Sequence, residues 1–335
     1  MVNVHHIQYP VGQGGLHLGI IGSYAYIYDC GGDRSADWDT YFNDIEKKVS
    51  ECKELYIFIS HLHEDHYNHL STLLSYIDNS KITVKFYLPY TSSPEKIIFV
   101  CDHIIQKGLE NNPDRDDTKL QKYIRDVMNN INGYNTIQRG KEVVFTLENI
   151  IIKPYVTNIS DNDIRRFLSN LKTVDTNIDI DDLANQINII KDFWKKAVAA
   201  YKKTFHTTRI SHKNMLSLYC GLTKISSGYD NTIENWLHTG DALMKTNIQI
   251  KGFLSYFGKL IDFVNCFQIP HHGSKYNQDW RFSIFCTSCY RKFYLTVQDN
   301  PSKNQRKYVT PDISDIKKLR CQKIDKYSEK TISSL

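Results

Sequence analysis

The stretch 56–69, YIFISHLHEDHYNH, gathers four side chains able to bind a metal ion, His61, His63, Asp65 and His66, directly behind an apolar run of Tyr56, Ile57, Phe58 and Ile59. The apolar run reads as a buried strand, and the carboxyl end of a strand can present such groups rigidly at the mouth of a cleft. Imidazoles and a carboxylate suit zinc, iron or manganese, whereas calcium would call for mainly oxygen ligands. The spacing H-x-H-x-D-H is too tight for one tetrahedral ion, because the adjacent Asp65 and His66 point in different directions from His61 and His63. Two ions are the natural solution.

The elements that must position this cluster follow from the periodicity around it. Residues 2–9 alternate and are rich in β-formers, and 24–29 read as another strand, with the Gly-rich turn 12–15 between them; this predicts a hairpin leading into a sheet. Residues 38–52 have helical spacing through Tyr41, Phe42, Ile45 and Val49, and are followed by the strand 55–60 and the metal loop. A helix over 67–77 and a strand over 82–88 complete a β-α-β run. From 92 to about 203 the sequence turns charged and mainly helical, broken by a β-like interval at 143–157. The clearest helix there covers 180–205, with an apolar stripe from Leu183 to Phe205 and Lys191, Lys195, Lys196, Lys202 and Lys203 off it. Such a helix packs on its domain with a solvated lysine face, or serves as a lid, a dimer surface or a basic wall for a polyanion. Beyond it, strands at 214–221, 236–239 and 263–269, a helix at 248–260, a strand at 293–297 and a helix at 311–319 rebuild a second α/β half.

On these residues the chain resembles the metallo-β-lactamase superfamily, whose signature is H-x-H-x-D-H after a strand. Four further blocks, VGQG at 11–14, YDCGG at 28–32, TGD at 239–241 and PHHGS at 270–274, stand in the order found in the metallo-β-lactamase domain of the bacterial DNA-uptake protein ComEC and its stand-alone relatives. The resemblance implies one αββα sandwich over 1–335, with a mainly helical insertion at about 92–203 between the second and third metal motifs. It also implies two divalent metal ions, zinc or alternatively manganese. The first ion would take His61, His63 and a third histidine, for which His212 is the candidate; the second would take Asp65, His66 and a histidine of the last motif. Asp241 is the implied bridge, since it follows a strand and a glycine and a carboxylate can bind two ions at once. His271 lies closest to the strand end and is the implied ligand, leaving His272 to meet the scissile group or donate a proton. Asp65, Asp241 and His272 are thus the expected catalytic set. Asp29 stands where the superfamily has an aspartate behind the metal loop, and is equally read as a strand-ending turn. The chain departs from the ComEC-like pattern at Gly15, where an aspartate follows VGQG.

A pair of such ions lowers the pKa of bound water from 15.7 to about 7 and clamps the attacked and leaving oxygens, so hydrolysis is the implied chemistry and no serine or cysteine nucleophile is needed. A phosphodiesterase or nuclease acting on DNA or RNA is the leading expectation, consistent with a net charge of +5 and a pI of 8.6. Hydrolysis of a small ester, lactone, thioester or cyclic nucleotide is a second. A third is a partner-binding subunit of a multi-component system such as phage defence, docking a protein or a second copy of itself through the inserted helices. With 335 residues, 41% of them hydrophobic, the chain has material for a large core, in which most of its 22 tyrosines and 15 phenylalanines are expected to sit. No signal-peptide pattern opens the chain, no run reaches the ~18 apolar residues of a membrane helix, and the eight cysteines are scattered; these point to a cytoplasmic protein with no membrane association.

Overall fold

The computed structural model describes residues 4–12, 14–77, 80–106, 134–138, 141–147, 150–157, 159–174, 191–205, 215–222, 235–244, 246–268, 270, 292–296, 322–324 and 331–334. The chain divides into two compact units, one formed by 1–89, 135–156 and 215–335, the other by 90–134 and 157–214.

In the first unit, β1 (Val4–Gln8), β2 (Gly15–Ile21) and β3 (Tyr24–Gly31) form an antiparallel meander, and β4 (Glu54–Phe58) and β5 (Thr83–Pro89) add to β3 in parallel. With β6 (Tyr134–Ile137) and β14 (Thr331–Ser334) they make a seven-stranded sheet ordered β14-β1-β2-β3-β4-β5-β6. Parallel neighbours need crossovers, and helices fill them. The β3–β4 crossover holds α1 (Trp38–Val49), the β4–β5 crossover α2 (Glu64–Tyr67) and α3 (Leu70–Tyr76). Helix α1 starts where Asp37 accepts a hydrogen bond from the Thr40 N–H, and Asp39 near its start and Lys47 and Lys48 near its end complement the helix dipole. It buries Trp38, Phe42, Ile45 and Val49, one face of a 3.6-residue repeat.

The second unit contains α4 (Ser93–Gln106), α5 (Asp161–Val174) and α6 (Lys191–Thr204) packed together. Tyr201 of α6 donates a 2.7 Å hydrogen bond to the buried Asp102 of α4, and Asn170 and Arg166 of α5 donate to Thr204. Of the helix expected over 180–205, residues 191–204 are helical and 180–190 lie outside the described residues.

The second sheet runs β13-β12-β11-β10-β9-β8-β7, from β7 (Phe145–Leu147), β8 (Ile150–Thr157), β9 (Met215–Leu222), β10 (Trp236–His238), β11 (Cys266–Gln268), β12 (Lys292–Thr296) and β13 (Gln322–Ile324). Alternation along each strand decides which layer a residue enters. Ile150, Ile152, Leu216, Leu218 and Cys220 meet Tyr26, Tyr28, Tyr56 and Phe58 of the first sheet. Ile151, Met215, Tyr219 and Leu237 turn the other way, onto Ile250, Phe253 and Phe257 of α7 (Asn247–Phe257). Ala25, Ile27, Leu55 and Ile57 alternate with the inward residues of β3 and β4 and are fully buried on the helix side of the first sheet. The architecture is the αββα sandwich expected from the sequence.

Three local readings change. The predicted hairpin is a three-strand meander, because β2 was masked by Gly15 and Gly19; a Cβ at Gly19 would lie 2.0 Å from the Tyr26 ring, so this strand keeps glycine for close packing. The single helix expected over 67–77 is broken at Asn68 and His69, where the Asn68 amide donates to the Gly32 carbonyl and accepts from the Gly32 N–H, both at 3.1 Å. The β-like interval 143–157 supplies the edge strand β7 and its neighbour β8, which extend the second sheet beyond β9. Among the described residues no helix is long and apolar enough to cross a membrane, and Cys30, Cys52, Cys101, Cys220 and Cys266 are buried.

Between the sheets lies a layer of polar aromatic groups. His6, His17 and His238 are buried around Tyr26, whose hydroxyl is 3.3 Å from His6 Nδ1 and 3.1 Å from His238 Nε2; His6 Nδ1 and His17 Nε2 are 3.3 Å apart.

Candidate metal centre

Strand β4 ends at Phe58, and the chain passes through Ile59 and Ser60 into His61 and His63 before α2 begins at Glu64. The loop rests on glycines. A Cβ at Gly31 would stand 2.5 Å from the Asp65 carbonyl oxygen and 2.6 Å from the Tyr67 nitrogen, and one at Gly14 would stand 2.3 Å from the same Asp65 oxygen. Real Cβ atoms do not approach backbone so closely, so Gly14 of VGQG and Gly31 of YDCGG are the floor under the backbone of Asp65 and the residues that follow it. Gly15 has a related role: a Cβ there would meet the Asp29 carboxylate at 3.1 Å.

Asp29 is fully buried at the end of β3, with a φ of 60°, a left-handed conformation that aspartate tolerates better than most residues. One oxygen accepts from the Ser60 N–H at 2.6 Å, and the other is 2.9 Å from Ser60 Oγ and 2.8 Å from His66 Nδ1. Asp29 therefore holds the metal loop and turns the His66 Nε2 edge away from itself.

Asp241 comes from the second sheet. Thr239, just past β10, is tied to β11 through its N–H to Gln268 Oε1 at 3.2 Å and its hydroxyl to the Gln268 carbonyl at 2.8 Å. Gly240 has a φ of 54° and lies against Ser60, where a Cβ would be 2.8 Å from the serine Cβ. The two sheet ends are also joined by Leu216 N–H to Ser60 O at 2.8 Å and Tyr28 hydroxyl to Leu216 O at 2.6 Å. These contacts bring Asp241, 3% exposed, to the metal loop.

Ligand atoms of His61, His63 and Asp241 lie within 4.8 Å of one another. Asp241 Oδ2 is 3.7 Å from His61 Nε2 and Oδ1 is 3.5 Å from His66 Nε2, so its two oxygens face different histidines. Asp65 Oδ2 is 3.9 Å from His66 Nε2. Two donors each about 2.1 Å from one tetrahedral ion are roughly 3.4 Å apart, which these nitrogen-to-oxygen separations approach. Imidazole nitrogens with carboxylate oxygens are a transition-metal donor set, and the cluster fits such an ion. The charge balance agrees. Burial alone would depress His66, but the carboxylates of Asp29, Asp241 and Asp65 around it override burial and hold it well above the ordinary imidazole range. The pocket is one that favours a cation.

Thus His61, His63, Asp65, His66 and Asp241 of the expected set are gathered at one end of the sandwich. His212, His271 and His272 lie outside the described residues. Ser60 and Asn68 also build the site, and their sequence signal was slight: a serine directly before the first histidine and an asparagine directly after α2.

No family model matches the chain, and no curated protein matches it. Solved structures similar to it include the metallo-beta-lactamase fold protein YhfI from Bacillus subtilis, at 9% identity over 99% of this chain and 100% of that one, TM-score 0.44. Unliganded yeast PDE1 is similar at 10% identity over 100% of both chains, TM-score 0.47. A long form RNase Z from yeast is similar at 10% identity over 88% of this chain and 37% of that one, TM-score 0.38.

Proposed function

We propose that the chain is a metal-dependent hydrolase of the metallo-β-lactamase superfamily, and that it cleaves phosphodiesters, with DNA or RNA as the substrate class. The observation that carries this reading is the carboxylate of Asp241, one oxygen toward His61 and the other toward His66. That is how a single side chain would serve two adjacent ions. His61 and His63 would hold the first ion and Asp65 and His66 the second, with Asp241 common to both and His212 and His271 as the proposed remaining ligands. Two divalent ions, zinc for preference and manganese as the alternative, supply Lewis acidity and an acidified water when bound. The chain's own part is to present these ligands in fixed orientations: Asp29 sets the His66 ring, the glycine floor sets Asp65, and Gly240 lets Asp241 reach the loop. His272 is proposed to donate a proton to the leaving group.

The order of VGQG, YDCGG, H-x-H-x-D-H, TGD and PHHGS, which resembles the ComEC-like domain, supports a nucleic-acid substrate, as does the net charge of +5. The test is metal analysis of purified protein together with cleavage of labelled single- and double-stranded DNA and RNA. Metal-dependent cleavage of a nucleic acid that a chelator abolishes is the expected result. Metal binding without any such cleavage, but with turnover of small esters or lactones, would move the substrate to that class.

A further inference from the structure

The group that links the two halves of the metal loop is the hydroxyl of Ser60. The residue is fully buried, and its Oγ lies 2.9 Å from Asp29 Oδ2, 3.0 Å from His61 Nδ1 and 3.2 Å from His66 Nδ1. A hydroxyl has one proton to give and two lone pairs to accept with, while an ionised carboxylate only accepts. Tyr28, whose own hydroxyl proton goes to the Leu216 carbonyl, also lies beside Ser60, but the charged Asp29 Oδ2 at 2.9 Å is the stronger acceptor and takes the Ser60 proton. The hydroxyl oxygen is left as an acceptor, so the His61 nitrogen beside it must carry a hydrogen. His66 Nδ1, 2.8 Å from the same carboxylate oxygen, carries one for the same reason. With hydrogens on both Nδ1 atoms, Nε2 is the nitrogen of each ring that faces Asp241 and takes up a cation, a proton in metal-free protein or a metal ion in its place.

We propose that Ser60 is a positioning residue: its hydroxyl relays the acceptor character of Asp29 to His61, fixes that ring as the Nδ1–H tautomer, and so sets the affinity of the His61–His63–Asp241 cluster for a divalent ion. A single buried aspartate thereby serves both rings, His66 directly and His61 through Ser60. The proposal rests on the metal-binding reading above, and its test separates the two.

Wild type, Ser60→Ala and Ser60→Cys would be compared as metal-free protein and with zinc. Two quantities are read: the tautomer of His61, from the nitrogen-15 imidazole correlations, and zinc affinity, from competition with a chromophoric chelator. Cysteine keeps the size of the side chain while its sulfur is a weak acceptor, so it provides a second variant should the alanine protein fail to fold. The expected result is a defined Nδ1–H tautomer in wild type, a mixture of tautomers in the variants, and about 10- to 100-fold weaker zinc binding, the range seen when the partner behind a ligating histidine is removed. Variants that keep the wild-type tautomer and the wild-type affinity would overturn the role of Ser60. Wild-type protein that binds no zinc would overturn the metal reading instead, and the tautomer comparison would still decide whether Ser60 orients His61.

Discussion

Asp29 Oδ2 lies 2.8 Å from His66 Nδ1, and both side chains are buried to 1% exposure or less. The pair joins the end of β3 to the candidate metal loop, and makes the orientation of one proposed ligand depend on a residue 37 positions earlier. Asp29→Asn keeps a side chain that tolerates a φ of 60° but offers one acceptor oxygen where Asp29 offers two, so either the Ser60 N–H or the His66 Nδ1–H is left facing an amide NH2. The metal-free protein is expected to lose about 1–3 kcal/mol of stability, and zinc affinity to fall about 10- to 100-fold. Chelator competition and thermal unfolding check the two halves of that statement.

The glycine floor gives a second test. Gly31→Ala places a methyl group 2.5 Å from the Asp65 carbonyl, where backbone must move, and is expected to cost about 1–3 kcal/mol and to displace the metal loop. Gly252→Ala is the control. Its Cβ meets only the Tyr155 hydroxyl at 3.6 Å on an exposed turn of α7, so it should stabilise by up to about 1 kcal/mol. Denaturant titrations of the two variants should move in opposite directions.

The buried histidine layer predicts a pH dependence of stability. Burial holds His17 well below the ordinary imidazole range, with His238 and His6 beside it acting in the same sense, and burial with His6 does the same to His238. These rings stay neutral in the folded protein while the unfolded chain takes up protons below about pH 6.5. Their contribution is therefore fully present above that pH and lost as pH falls below it, by up to about 1.4 kcal/mol per pH unit for each ring. His66, whose pKa is raised, acts oppositely in metal-free protein: its contribution is present at low pH and lost as pH rises through its folded value. Comparing wild type with His17→Leu isolates one ring. Urea unfolding between pH 5 and pH 8 should show a shallower acid slope in the variant; equal slopes would show that His17 is not held neutral.

Much of this was legible because His61, His63, Asp65 and His66 are neighbours in sequence, and a strand end followed by so tight a spacing has few other readings. Asp241 was legible for a different reason, as an aspartate after a strand and a glycine in an ordered series of motifs. The contribution of Ser60 was hidden, since a serine hydroxyl gains its meaning only from its partners, among them Asp29, 31 residues away. Strand β2 was hidden by its glycines, which look like turn residues until the Tyr26 ring is seen against Gly19. The place of β8 beside β9 was out of reach as well, because the two strands are separated in sequence by residues 158–214.

Asp241→Asn keeps the volume of the side chain and removes the charge that two cations would share. If about 3 kcal/mol is lost from the transition state, turnover on a cleaved substrate falls roughly a hundredfold.

Elemental analysis of wild type and Asp241→Asn, purified side by side from metal-supplemented culture, decides whether Asp241 is shared by two ions. Two transition-metal ions per wild-type chain and the loss of at least one from the variant are expected. Less than one ion per wild-type chain, or a variant that retains both, would contradict that sharing.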